Sequence, residues 1–417
     1  MKQQVRKGFW TFFIILCGLG FIILPALSEA SPQKEILIGH LEPLTGGSAG
    51  TGQSLKLGAE YAVDEINAQG GIKSMNGAKL KLIDADHQGV PQVGIAETER
   101  LIREGVSMII GPWYSSVALV ATQTAERQKV PFLVDIGIAD QITERGLKYT
   151  FRLCTPAGWI IRKSFGHMMA AARANNAVPK TISLIYENSA YGQSNATFMK
   201  EACNQGGIKV LVDIPYDRKQ MDFSSEVRKL KAANADIIGY TSYIADGIQL
   251  LRTMKEQGIR PMMLVGVNDA AFTEMAAFKQ ALGDYANYII DYMGHAMNRK
   301  DPRYKALVSG VAKKYKKEVD YPVEIGYLSI YLAKEVLELA KSSDREKIRE
   351  AFTKVNYKNH MMASEEPIRF GPDGQNQGAE PYFQQVFPDV ITPPIVWPAK
   401  FAERKIVWPD PSWKRGN

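Results

Sequence analysis

Short apolar runs alternate with amphipathic stretches along most of this chain. The run at 34–41 predicts a strand, and Leu55, Ala59, Ala62, Val63 and Ile66 form the buried stripe of a helix over 54–67. Gln69-Gly70-Gly71 ends that helix. The same reading gives a strand at 79–84, a helix at 91–104, a strand at 106–110, a helix at 117–128 and a strand at 130–134. Strictly alternating strands and helices imply a parallel sheet covered on both faces, with ligands at the carboxyl ends of the strands. A second unit repeats the pattern: helix 158–175, strand 181–186, helix 193–205, strand 209–213, helix 223–234, strand 236–240, helix 244–257 and strand 262–265. Asp222 ahead of Phe223-Ser-Ser-Glu226 is a helix-start signature. Two α/β units in series imply two lobes with a cleft between them.

The pattern then changes. A strand at 288–293 precedes helices at 302–319, 323–342 and 344–355, a turn at 368–376 and a strand at 382–387. The proline-rich tail is expected to wrap, with Trp397, Trp408 and Trp413 pinning it to a lobe.

One corner stands out, at 106–128. A Gly-Pro turn, two aromatics and two hydroxyls separate a buried-strand pattern from an alanine-rich helix. Ser115 or Ser116 is placed to cap that helix. A helix start at a strand end presents free N–H groups and a positive dipole end, which suits a carboxylate or another small anion.

Composition narrows the function. The chain has 417 residues, 45% of them hydrophobic and 23% charged, enough for two or three domains. Net charge is +7, but the basic residues are scattered. The densest patch, Lys313-Lys314-Tyr315-Lys316-Lys317, is followed by Glu318 and Asp320, so it reads as a solvated helix face and not as a nucleic-acid site. Lys2, Arg6 and Lys7 precede an apolar run at 8–24, and Ser28 and Ala30 fit a signal-peptidase site, so residues 1–30 are expected to be a cleaved signal peptide. Lipidation at Cys17 is disfavoured by Leu16 before it, and no later run is long and apolar enough to span a membrane. The mature chain is expected to be exported. Its two remaining cysteines, Cys154 and Cys203, are expected to be buried free thiols.

Enzymatic signatures are missing. Gly50-x-Gly52 lacks the third glycine of a dinucleotide site, because Leu55 stands there. Gly-x-Ser-x-Gly does not occur, and His87 beside Asp84 and Asp86 has no nucleophile to serve. No cysteine or histidine spacing fits a metal. No cofactor and no catalytic group is expected.

The ordered motifs carry a resemblance. They are Ile38-Gly39 with Leu44-Thr45-Gly46, Gly58-Ala59-Glu60 with Ile66-Asn67 and Gly70-Gly71-Ile72, Ile109-Ile110-Gly111-Pro112 with Ser115, Tyr191-Gly192, Asp222-Phe223-Ser224, and Gly371 with Gly374. In this order, behind an export signal, the chain resembles periplasmic solute-binding proteins of the leucine/isoleucine/valine-binding type, which serve ABC transporters of branched-chain amino acids and amides. The resemblance implies a monomer of two Rossmann-like lobes joined by three crossover strands, closing on a small solute and delivering it to an inner-membrane permease. The crossovers are expected near 149–153, 284–291 and 363–370, giving one lobe of 31–150 plus 286–362 and another of 151–285 plus 363–417.

Site residues follow from the same resemblance. Ser115 or Ser116 would hold the solute's carboxylate, with Trp113 and Tyr114 beside them. The next strand end reads Ile136-Gly137-Ile138, with Ile138 where the family has a threonine. Tyr191 and Tyr243 match the family's cleft tyrosines. Asn268 falls where an acidic residue would hold the α-ammonium, and Asp269 beside it leaves open a rotation into that role. An ammonium taken from water without a charged partner costs several kcal/mol. The pattern therefore points to an aromatic or aliphatic carboxylate, or an uncharged amide. Branched-chain amino acid binding, or sensing through a separate membrane receptor, are the alternatives.

Overall fold

The computed structural model describes residues 35–413. The expected signal peptide and Cys17 lie outside the described residues. Among the described residues no helix is long and apolar enough to cross a membrane.

The first half of the chain builds β1 (Glu35–Glu42), α1 (Ala49–Ala68), β2 (Lys79–Asp86), α2 (Pro91–Arg103), β3 (Met108–Ile110), α3 (Ser115–Arg127), β4 (Phe132–Val134) and β5 (Thr150–Arg152). Its five strands run in the order β2-β1-β3-β4-β5, all parallel. The order reverses at β1 and β3, so the start of α3 opens at the switch point where such sheets bind ligands. Ile38, Met108, Ile109, Ile110, Phe132 and Leu133 are fully buried, as continuous apolar runs in a sheet covered on both faces should be.

The chain continues through α4 (Ala157–Ala174), β6 (Thr181–Glu187), α5 (Ala190–Gln205), β7 (Lys209–Tyr216), α6 (Ser224–Ala233), β8 (Ile237–Thr241), α7 (Ile244–Glu256), β9 (Met263–Gly266), α8 (Met275–Leu282) and β10 (Ile290–Met293). After β10 come α9 (Pro302–Tyr315), α10 (Tyr321–Ala340) and α11 (Arg345–Phe352), then β11 (Tyr382–Gln385) and β12 (Ile395–Trp397). The second sheet has seven strands in the order β12-β11-β10-β9-β8-β6-β7. It is parallel except at β11 and β12. Together the two sheets and their covering helices make a two-lobed α/β fold.

Three local results differ from the sequence pattern. The tail does not merely wrap: Ile395–Trp397 pairs with β11, because its apolar residues complete an otherwise open edge. Trp408 is buried there and its Nε1 donates to the Ala177 carbonyl at 2.8 Å, while the Trp397 ring packs at a tilt against His167 with ring centroids 4.3 Å apart. Helix α8 leaves no mark in the hydrophobic pattern, being a single short stretch after the irregular turn Ala270–Glu274. Strand β10 pairs with β9, so the chain leaves the second sheet only after Met293.

Beyond that point, α10 packs along α1 on the first half: Gly58 and Gly326 face the partner backbones so closely that an added Cβ would stand 2.1 Å from a carbonyl oxygen. The segment at 370–376 returns to β5, where Arg152 N–H donates to the Gly374 carbonyl at 2.9 Å. Both cysteines are buried free thiols.

Candidate functional site

Trp113, Ser115, Ile136, Ile138, Tyr191, Tyr243, Asn268 and Asp269 line one cavity of about 50 Å³ between the two halves. At roughly 10–15 Å³ per water position, it suits a few waters or one small flat solute. Tyr114, Ser116 and Gly137, also expected at the site, do not line it. Tyr114 instead packs beside the cavity: its hydroxyl meets Ser48 Oγ at 2.8 Å and its ring lies 4.4 Å from that of Tyr243. Ser116 is half-buried on the next step of α3.

The pattern missed the cavity-lining residues Ala270, Thr273, Tyr292, Met293, Gly294 and Tyr321. Most come from β10, its exit, and the start of α10. A signal existed for Tyr321: Asp320 accepts from Val323 N–H at 3.0 Å as a helix cap, so Tyr321 opens a helix much as Tyr191 and Ser115 do. Nothing in the sequence placed that helix start in the cleft.

The corner after β3 is built by close packing. Gly111 adopts φ +118, and a Cβ there would stand 2.2 Å from the Leu41 carbonyl oxygen. Trp113 N–H donates to Glu42 Oε2 at 3.1 Å, which fixes the tryptophan at the cavity. Its indole Nε1 is buried and has no partner. The expected cap is corrected: Tyr114 occupies the cap position of α3 and no side chain caps the helix. Ser115 is the first helical residue, and its side chain points to the following loop instead. Its Oγ accepts from Ile138 N–H at 3.1 Å and Ala139 N–H at 3.2 Å. A hydroxyl has two acceptor sites and one proton, so what remains of Ser115 is its proton, free to donate.

The opposite side is different. Asp269 is fully buried, and its carboxylate accepts from Ser242 N–H and Ser242 Oγ, both at 2.6 Å, and from Ala271 N–H at 3.0 Å. These donors hold it in place at the wall of the cavity. Burial nonetheless pushes its carboxyl well above the usual range. Asn268 takes a left-handed conformation, φ 55, and its Nδ2 donates to Asn195 Oδ1 at 3.1 Å. Tyr191 donates its hydroxyl to the Asn268 carbonyl. Among the cavity-lining residues, Asp269 is the one carboxylate.

Other buried ionisable groups surround the cavity. Burial raises both Glu42 and Asp135, and each other's proximity raises Glu42 further, so this pair favours holding a proton. His295, 3.4 Å from the Tyr321 hydroxyl, is lowered to about 3 by burial and is neutral at pH 7. Among the described residues no cluster fits a metal.

The two halves touch around the cavity. Arg218 Nη2 donates to the Gly89 carbonyl at 2.8 Å, and its guanidinium lies 4.8 Å from the Tyr114 ring centre and 5.6 Å from that of Tyr243. Thr51 Oγ1 meets Thr273 Oγ1 at 3.2 Å, and Ser194 Oγ donates to Asp140 Oδ2 at 3.2 Å. The cleft is closed. A space of about 450 Å³ on one side shares Thr273 and Tyr321 with the cavity, which makes it the natural approach.

A closed interlobe cavity at a sheet switch point, lined by a few polar groups among aromatic and apolar side chains, defines a solute-binding protein. Residues 35–387 match the family model described as periplasmic binding protein, and the chain belongs to that family. A relative named Leu/Ile/Val-binding protein homolog 7, from Brucella abortus (strain 2308), is 30% identical over 368 residues, covering 84% of this chain and 88% of the relative. Among solved structures, the branched-chain amino acid transporter binding protein LivJ from Streptococcus pneumoniae, in complex with isoleucine, superposes with a TM-score of 0.75 at 22% identity, covering 88% of this chain and all of that one. A solute-binding protein of an ABC transporter from R. palustris, in complex with benzoate, gives 0.74 at 18% identity, covering 87% and 95%. The family is one of extracytoplasmic solute-binding proteins.

Proposed function

We propose that this protein captures a small carboxylate or amide with an aromatic or branched aliphatic body, and no α-ammonium, for an ABC transporter permease. The observation that carries the reading is Ser115. With both acceptor sites filled by Ile138 and Ala139 N–H groups, its hydroxyl can only donate. The unpartnered Trp113 indole N–H is likewise a donor. Two donors on side chains that line one cavity call for an acceptor-rich group. Ile136, Ile138, Tyr292 and Met293 supply apolar surface for the rest of the solute.

An amino acid fits less well. Its ammonium would need an anionic or carbonyl partner, and Asp269 is occupied by three donors. The lobes would close on the solute about crossings near 149–153, 294–298 and 370–376, with Ser115 on one side and Tyr191 and Tyr243 on the other. The reading that Ser115, Trp113, Ile136, Ile138, Tyr191 and Tyr243 contact the solute stands with it.

A thermal-shift screen tests the proposal. A ligand at a hundred times its dissociation constant adds about 2.7 kcal/mol of stability. Benzoate or 3-methylbutanoate is expected to raise the melting temperature, and leucine and isoleucine are not. Strong stabilisation by leucine with none by the two acids would sink the reading.

A further inference from the structure

We propose that Arg152 makes this cavity select an ionised carboxylate over a neutral amide, acting through the Gly137–Ile138 peptide and the Ser115 hydroxyl. This deepens the function proposed above and rests on its claim that the solute presents an acceptor to Ser115.

Arg152 is a fully buried cation at the end of β5. Buried guanidinium groups ordinarily pair with carboxylates. This one does not. Its Nε donates to Gln375 Oε1 at 2.6 Å, its Nη2 to Thr143 Oγ1 at 2.9 Å, and its Nη1 to the carbonyls of Ala139 at 2.7 Å and Gly137 at 3.4 Å. Every hydrogen-bond partner is neutral, so dipoles solvate the charge directly.

Those dipoles point at the solute end. The Gly137 carbonyl that faces Arg152 belongs to the same peptide unit as the Ile138 N–H that donates to Ser115 Oγ. The other carbonyls of this loop are also held from behind. Cys154 Sγ lies 3.1 Å from the Ile136 oxygen, Ala157 N–H donates to the Ile138 oxygen at 2.9 Å, and Ile142 N–H to the Ala139 oxygen at 3.1 Å. The loop therefore turns its carbonyls away from the cavity and its N–H groups at 138 and 139 toward Ser115. Hydrogen bonds in such a chain polarise one another, and the polarised end is the Ser115 proton. A row of aligned peptides with a cation behind it is an anion site.

Asp140, Asp373 and Glu144 act on Arg152 through space, but none of them hydrogen-bonds it. Glu42 and Asp135, buried under the same corner, form a pair that favours sharing a proton, so together they carry less than two charges. Among carboxylates, Asp140 acts most strongly on Arg152, yet its own bonds go to Gly158 N–H at 3.0 Å and Ser194 Oγ at 3.2 Å. A unit charge one peptide and one hydroxyl away from an anion, in an effective dielectric near 20, changes the anion's affinity by on the order of tenfold.

The experiment compares each acid with its own amide: benzoate against benzamide, and 3-methylbutanoate against 3-methylbutanamide, by isothermal titration at pH 8. The wild-type protein is expected to favour the acid by tenfold or more. In Arg152→Gln that preference is expected to collapse toward unity, while amide affinity stays within about threefold. A purely structural role would weaken acid and amide alike and leave their ratio unchanged, and that result would overturn the proposal. Because Arg152→Gln can also unfold the protein, Asp140→Asn provides the opposite test. It retains the acceptor for Gly158 and removes the opposing charge, so the acid-to-amide ratio is expected to rise severalfold. A ratio unmoved or lowered in Asp140→Asn overturns the proposal too. If the wild-type protein bound neither acid, the solute class itself would be wrong; if it bound the acids but kept its preference in Arg152→Gln, only the role of Arg152 would fail.

Discussion

The two sides of the cleft use the same device and reach opposite polarity. On each, a strand ends in a short loop that opens a helix. On the first half, the loop at 136–139 has its carbonyls held from behind and its N–H groups turned to Ser115, so the side presents donors. On the second half, Asp269 collects three donors of its own lobe, and Tyr191 gives its hydroxyl to a backbone carbonyl, so the polar groups satisfy one another. A cavity can be lined by an acid most of whose acceptor sites are taken within its own lobe. What matters is which hydrogen-bonding capacity is left after the protein's own bonds are counted.

That comparison breaks most sharply at Asp269. Replacing it with alanine leaves buried donors at Ser242 and Ala271 unpaired, and is expected to destabilise the fold by roughly 3 kcal/mol. Urea unfolding measures this. Unchanged stability together with lost amino-acid binding would mean that Asp269 faces the solute after all.

On the opposite side, Ser115→Ala removes a hydrogen bond to a charged group, worth about 1.5–3 kcal/mol. Affinity for the bound acid is expected to fall by roughly ten- to a hundredfold in titration calorimetry, since every 1.4 kcal/mol is tenfold. Binding as tight as wild type would remove the corner from the site.

A third measurement concerns Asp320, which caps α10 and sets Tyr321 at the cavity. Burial raises its carboxyl to about 6, despite the Ser54 hydroxyl 2.9 Å away. A folded value above the unfolded one means that the folded state holds the proton more tightly. Its contribution is therefore fully present below about pH 4 and is lost as pH rises through about 6, by up to roughly 3 kcal/mol. Asp320→Asn, which still caps the helix, is expected to flatten the stability profile between pH 4 and 6. An identical profile in the variant would show that Asp320 titrates normally.

The smallest effect is expected at Arg218, which joins the sides through Gly89 and the rings of Tyr114 and Tyr243. Arg218→Ala removes one hydrogen bond and a cation–π contact, about 1–2 kcal/mol together. Stopped-flow release of the solute should quicken by about tenfold, with the acid-to-amide ratio unchanged.

Much of this was legible in the residues. Apolar runs and helical stripes located most strands and helices, because burial on both faces of a parallel sheet leaves a strong pattern. The tail strand and α8 were not legible. Ile395–Trp397 pairs with residues outside its own neighbourhood, and α8 lies behind an irregular turn. Eight of the residues expected at the site line the cavity, while Tyr114, Ser116 and Gly137 do not. Which face of a strand end or first helical turn meets a cleft depends on how two lobes meet, and local pattern carries no record of that.

By itself the sequence determined the alternation of strands and helices, the two α/β units, and the presence of a hydroxyl-bearing corner at a helix start. Those depend on local spacing and on apolar burial, which neighbouring residues settle among themselves. Only the tertiary structure decided that Ser115 is left as a donor, that Asp269 is held within its own lobe, and that Arg152 stands behind the loop with only neutral hydrogen-bond partners. Hydrogen-bonding capacity is shared out among residues far apart in the chain, Ser115 with Ile138 and Arg152 with Gln375, and what remains for a solute appears only once they have been brought together.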